Sequence, residues 1–139
     1  SGRAFRYLCV GASEAANTAA LFDRAHELGT EIIRDVEADA ADTESRLRRF
    51  IAGSSAVYLS FCLDVLPASV APGVSAPSAL GLSLNRALAL LRTALSACRE
   101  ATGGPRLLMA DVAELNPDFD PDGRTARTAA RIVFELAAR

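Results

Sequence analysis

Four short apolar runs constrain this chain most: residues 5–11 (FRYLCVG), 31–36 (EIIRDV), 57–63 (VYLSFCL) and 107–112 (LLMADV). Each is too short for an ordinary helix and is rich in β-favouring residues, so each reads as a buried strand. Stretches with helical spacing lie between and after them. Parallel neighbours need a long crossover, and a helix supplies it. The alternation therefore predicts an α/β domain, a parallel sheet with helices on both faces. No internal repeat or low-complexity linker interrupts it, so one domain spanning residues 1–139 is expected.

The helical stretches carry their own end signals. Ser13 is a candidate N-cap for residues 14–28, where Leu21, Phe22, Ala25 and Leu28 share a face and Gly29 is the stop. Asp42 or Thr43 starts a second helix reaching about Ala52, with Leu47, Phe50 and Ile51 as its buried stripe. Ser83 caps a third, residues 84 to about 101, with Leu84, Leu88, Leu91 and Leu95 on one face. Thr102-Gly103-Gly104-Pro105 ends it. After a turn-rich loop at 116–123, residues 124–138 form a closing amphipathic helix.

Charge and composition remove several function classes. A net charge of −2 gives no reason for a nucleic-acid or anionic-membrane partner. No run approaches the ~18 apolar residues of a membrane span, and the start lacks a signal-peptide pattern, so a cytoplasmic protein is expected. All 15 basic residues are arginine, which excludes Schiff-base lysine chemistry. Cys9, Cys62 and Cys98 each sit in an apolar run and read as buried, reduced thiols. Their spacing matches neither a zinc site nor a redox pair.

The third run ends at Asp64 and opens into a loop with Pro67, Pro72, Gly73 and Pro77, which continues neither strand nor helix. Ligands of α/β proteins collect outside the carboxyl ends of parallel strands. Asp64 therefore serves either a site or, as a cap, the amides of its own loop. Glu114 follows the fourth run in the same way, with a cap for the next turn as its alternative role. Ser13 and Asn17 lie beyond the first run, at the same sheet end, and Asn17 is a weaker candidate for facing substrate. Arg124 and Arg127 are candidate carboxylate binders, but pairing with Asp118, Asp120 or Asp122 is expected instead. His26, flanked by Asp23, Arg24 and Glu27, reads as a solvated helix residue.

The wording Ser60-Phe61-Cys62-Leu63-Asp64-Val65-Leu66-Pro67-Ala68, then Val70-Ala71-Pro72-Gly73-Val74-Ser75-Ala76-Pro77, resembles the ureohydrolase signature. In that family of arginases, agmatinases and formimidoylglutamases, a strand ends in Ser-x-Asp-x-Asp before a proline- and glycine-rich loop. Arginases and agmatinases usually have Asp-Pro where this chain has Leu66-Pro67, so the wording is most similar to formimidoylglutamase. Ala110-Asp111-Val112-Ala113-Glu114-Leu115-Asn116-Pro117, with Asp120-Pro121-Asp122-Gly123-Arg124-Thr125-Ala126, is similar to the family's last strand and final helix.

The resemblance implies an arginase-like three-layer fold and hydrolysis of a small-molecule amidine, N-formimidoyl-glutamate, to glutamate and formamide in histidine catabolism. It implies a binuclear Mn²⁺ cofactor with Asp64 as a ligand, and Glu114 as the acceptor for the substrate's amidine nitrogens. Asp111 would support the strand end or the groups behind the metal ligands. Cys62 stands where the family has another metal-bridging aspartate. The family's upstream histidines and its Asp-x-His-x-Asp cluster have no counterpart here, since His26 is the one histidine. The resemblance thus covers the C-terminal part of the family domain, and the chain is expected to be inactive alone. Half of such a sheet leaves an open edge, so a homo-oligomer, or a partner supplying the missing half, is expected. The alternative is a non-catalytic arginase-fold remnant that serves as a binding or assembly module.

Overall fold

The computed structural model of the chain describes residues 5–100 and 105–138. Its order is β1 (Leu8–Ala12), α1 (Ala19–Glu27), β2 (Glu31–Arg34), α2 (Thr43–Ala52), β3 (Ala56–Cys62), α3 (Leu84–Arg99), β4 (Arg106–Ala113) and α4 (Arg124–Ala137). Short 3-10 turns occupy Asp35–Glu37, Leu63–Val65 and Pro117–Phe119. Every strand pairing is parallel, as the alternation predicts. Among the described residues the strands form two separate pairs, β1 with β2 and β3 with β4, where the sequence predicts one sheet.

Strand pleating sorts the side chains. Val57, Leu59 and Phe61 of β3, with Leu8 and Val10 of β1, face a single core. Onto that core pack Leu47 and Ile51 of α2, Leu88, Leu91 and Leu95 of α3, and Ile132 of α4. The α3 stripe is the predicted one, and Ser83 caps it by accepting from the Arg86 amide at 3.2 Å. Each fully buried leucine is worth about 1.5–3 kcal/mol, which makes α3 the main fastener of the fold. Its predicted stop at 102–104 lies outside the described residues.

The first helix departs from expectation. It begins at Ala19 because the Asn17 side chain donates to the Ser13 carbonyl at 2.9 Å, closing a turn where a helical first turn was expected. Gly29, at φ +68°, ends it as predicted. No residue of α1 is buried, however, and Leu21 is 56% exposed. The predicted stripe overlooks a cleft of about 290 Å³ above Tyr7, Cys9 and Ile32, instead of a packed core. No helix among the described residues is long and apolar enough to cross a membrane.

Candidate active site

Parallel pairing places the ends of β3 and β4 together, with Ser60 opposite Asp111 and Cys62 opposite Ala113. Asp64 follows Cys62 by two residues, and Glu114 follows Ala113 by one. The turn carrying Asp64 is pinned by Leu63 and Leu66, both fully buried, and by the Leu66 amide donating to the Leu63 carbonyl at 3.1 Å. The loop beyond is tied back by the Leu82 amide on the Val65 carbonyl and the Ala68 amide on the Ser78 carbonyl, each at 2.8 Å. Sequence-local anchors therefore hold Asp64 half-buried at a strand end.

The corner is rich in negative charge. Burial pushes the Asp64 carboxyl above its ordinary range, and the charge of Glu114 pushes it further. Partial desolvation at the strand end likewise raises the Cys62 thiol, although the residue is exposed, with Asp64 as the next cause and Glu114 and Asp111 adding to it. Cys62 is thus a protonated thiol near neutral pH. It is also exposed, which corrects the expectation of a buried cysteine. Its place in the pleat puts it with Tyr58 and Ser60, on the face of β3 turned away from the core.

Asp111 is committed to β3. It accepts from the Tyr58 hydroxyl and from Ser60 Oγ at 2.7 Å, and those two bonds, Tyr58's first, hold its carboxyl below the usual range. This is the expected supporting role. Its partners went unread in the sequence, although alternation along β3 and the register with β4 carried the signal.

Glu114 has φ +74°, the one non-glycine residue with positive φ among the described residues. It does not cap the following turn, because Asn116 Oδ1 does so, accepting from the Asp118 amide at 3.1 Å. Its carboxylate is exposed at the strand end. Asn17 lies beyond β1. Its amide is spent on Ser13, and it lines the cleft between α1 and β1, which neither Asp64 nor Glu114 lines. Arg124 pairs with Asp122 at 3.0 Å, as expected, and also donates to the Ser69 carbonyl at 3.2 Å. Asp120 does something unforeseen: it accepts from the Thr125 and Ala126 amides at 2.9 and 2.8 Å, capping α4. His26 is exposed on α1, as read.

Among the described residues no three histidine, cysteine, aspartate or glutamate side chains gather as a metal-binding group. Asp64 offers the hard oxygen that manganese prefers, whereas the sulfur of Cys62 is a soft and mismatched donor. The residues present do not by themselves amount to a manganese centre.

The arginase family pattern matches residues 2–138. The chain is 52% identical over 136 residues to the formimidoylglutamase of Aromatoleum aromaticum, covering 96% of this chain and 38% of that protein. It is 45% identical over 138 residues to that of Nocardia farcinica, covering 99% and 42%. The chain therefore spans about two-fifths of the length of these curated relatives. Among solved structures, an oxidized Trypanosoma cruzi formiminoglutamase with Mn²⁺ superposes with a TM-score of 0.72 at 21% identity, over 93% of this chain and 42% of that one. Parallel strand pairs, the carboxylates at their ends and a match over nearly the whole length agree, and the chain belongs to the arginase family.

Proposed function

We propose that the chain is the C-terminal part of a formimidoylglutamase, which hydrolyses N-formimidoyl-glutamate to glutamate and formamide in histidine catabolism, in the cytoplasm. One observation carries the reading: the parallel pairing of β3 with β4 brings Asp64 and Glu114 to the same corner. Glu114, exposed at the strand end, suits a planar cationic amidine, to which a carboxylate makes charge-assisted hydrogen bonds. Asp64 is the residue that would ligate a family-type manganese ion, which would supply an activated water. The remaining ligands would come from outside these 139 residues, and Cys62 occupies one ligand position without suiting the metal. Residues 1–139 then form one piece of a single arginase-like domain.

The test has two arms. The chain alone should bind Mn²⁺ weakly in a calorimetric titration and leave N-formimidoyl-glutamate intact. Joined to the upstream part of the Aromatoleum aromaticum relative, with Cys62→Asp, it should gain hydrolysis. No gain in the joined protein counts against the reading, and two tightly bound ions on the chain alone would show that it holds ligands beyond Asp64 and Cys62.

A second reading, the non-catalytic module, is favoured by what the chain leaves open. Tyr58 and Met109 are exposed on the outer face of the β3–β4 pair, and β1 and β3 each hydrogen-bond one strand only among the described residues. Open strands invite pairing, so a homo-oligomer or a complex with a partner is the expected state. A strictly monomeric chain in sedimentation would count against it.

A further inference from the structure

Glu114 adopts a left-handed backbone that a residue with a Cβ rarely takes, so something must hold it there. Two residues on, the Asn116 amide donates to the Gly73 carbonyl at 2.9 Å. The Gly73 amide in turn donates to Thr125 Oγ1 at 2.7 Å. The Thr125 amide donates to Asp120 Oδ1, so the hydroxyl is fixed by the first turn of α4. Thr125 is fully buried, and Gly73 has no room for a side chain: an added Cβ would sit 2.4 Å from Asp120 Cβ and 2.9 Å from Thr125 Oγ1. Capping of α4 explains Asp120 but not the bond that Thr125 Oγ1 accepts from the Gly73 amide. That bond crosses from the last helix to the loop that follows Asp64, and Gly73 passes it to the turn that follows Glu114.

We propose that Thr125, acting through Gly73, is a positioning residue that latches the loop after Asp64 to the left-handed turn at Glu114 and so fixes where that carboxylate stands. The kinetic consequence rests on the reading of Glu114 as the amidine acceptor, whereas the latch itself rests on hydrogen bonds alone. Thr125→Val removes the acceptor at nearly constant volume and leaves the Gly73 amide buried without a partner. Thr125→Ser restores the hydroxyl. Thr93→Val changes another buried threonine, on α3, far along the chain from either loop.

The experiment is NMR on this chain. A left-handed residue shows a strong amide-to-α-proton NOE within itself. Thr125→Val should weaken that signal at Glu114 and speed amide exchange at Gly73 and Asn116 by about tenfold, the worth of one hydrogen bond. Thr125→Ser should keep both signals, and Thr93→Val should keep both even if it lowers stability. Retention of the Glu114 signature in Thr125→Val, or its equal loss in Thr93→Val, overturns the proposal. Should Thr125→Val not fold, Thr125→Ala, which leaves space where valine places a methyl, takes its place with the same readouts. In the joined protein, Thr125→Val should raise KM for N-formimidoyl-glutamate and Thr125→Ser should restore it. An inactive joined protein would defeat the functional reading and leave the latch to the NMR result.

Discussion

Two helices of the molecule use the same kind of sequence and obtain different packing. α3 carries apolar residues at helical spacing and buries Ala87, Leu88, Leu90, Leu91, Ala94 and Leu95. α1 carries Leu21, Phe22 and Ala25 at the same spacing and buries none of them. The strands beneath α1 are not loose, since Ile33 of β2 is fully buried on their core side. Their outer face is open because the opposing surface, Tyr7, Cys9 and Ile32, leaves a cleft under the helix. An apolar stripe states that a helix has a face to bury. It does not supply the surface that buries it.

The largest expected effect tests that contrast directly. Leu66→Ala or Ile132→Ala, both at fully buried positions, should cost about 2–5 kcal/mol in urea unfolding, from lost transfer energy and the cavity left behind. Leu21→Ala should stay within about 0.5 kcal/mol, the range of ordinary surface changes. Equal losses at the two places would mean that α1 is packed in solution and that the contrast is wrong.

Much of this arrangement was legible beforehand. The four strands, the α3 stripe, the Ser83 cap and the Gly29 stop all follow from local rules, and the structure carries them. Asp64 and Glu114 were readable because each follows an apolar run, and parallel pairing was enough to bring them together. What escaped depends on non-local partners. The exposure of Cys62 is decided by what covers the outer face of β3, and nothing in the run VYLSFCL encodes that. Asn17 stands beyond β1, and its side-chain bond to the Ser13 carbonyl closes a turn that helical spacing does not announce. The split into two strand pairs is likewise a matter of which strand stands next to which, and alternation alone does not order strands.

A second, smaller effect sharpens the contrast through acid. On the packed side, Glu135 of α4 is buried and takes a two-pronged bond from Arg92 of α3, at 2.8 and 2.6 Å, plus one from Arg131. Those partners, Arg92 first, hold its carboxyl at about 2, against an ordinary 4.5. A depressed carboxyl stabilises the fold above its unfolded value and loses that contribution as pH falls to the folded one. Between about pH 4.5 and 2, wild type should therefore lose stability that Glu135→Gln never had, so the variant's melting temperature should fall less steeply with acid while lying lower at pH 7. On α1 the exposed Arg24–Glu27 pair offers a control. Arg24→Ala should change the melting temperature little, because exposed pairs contribute at most about 1 kcal/mol.

The smallest effect asks how the two strand pairs meet at their carboxyl ends. Cys9 in β1 is half-buried and Cys62 at the end of β3 is exposed, so at one pH an alkylating reagent should modify Cys62 first. Both thiols titrate above their ordinary value, burial being the leading cause in each case. The charge of Asp64 raises both. Asp64→Asn should therefore move the pH midpoint of alkylation downward at both thiols, since removing a negative charge eases formation of a thiolate. An equal shift at the two thiols would place Asp64 evenly between the strand pairs, making it a residue of their junction. A shift confined to Cys62 would assign it to the β3–β4 pair alone, and with it the candidate site.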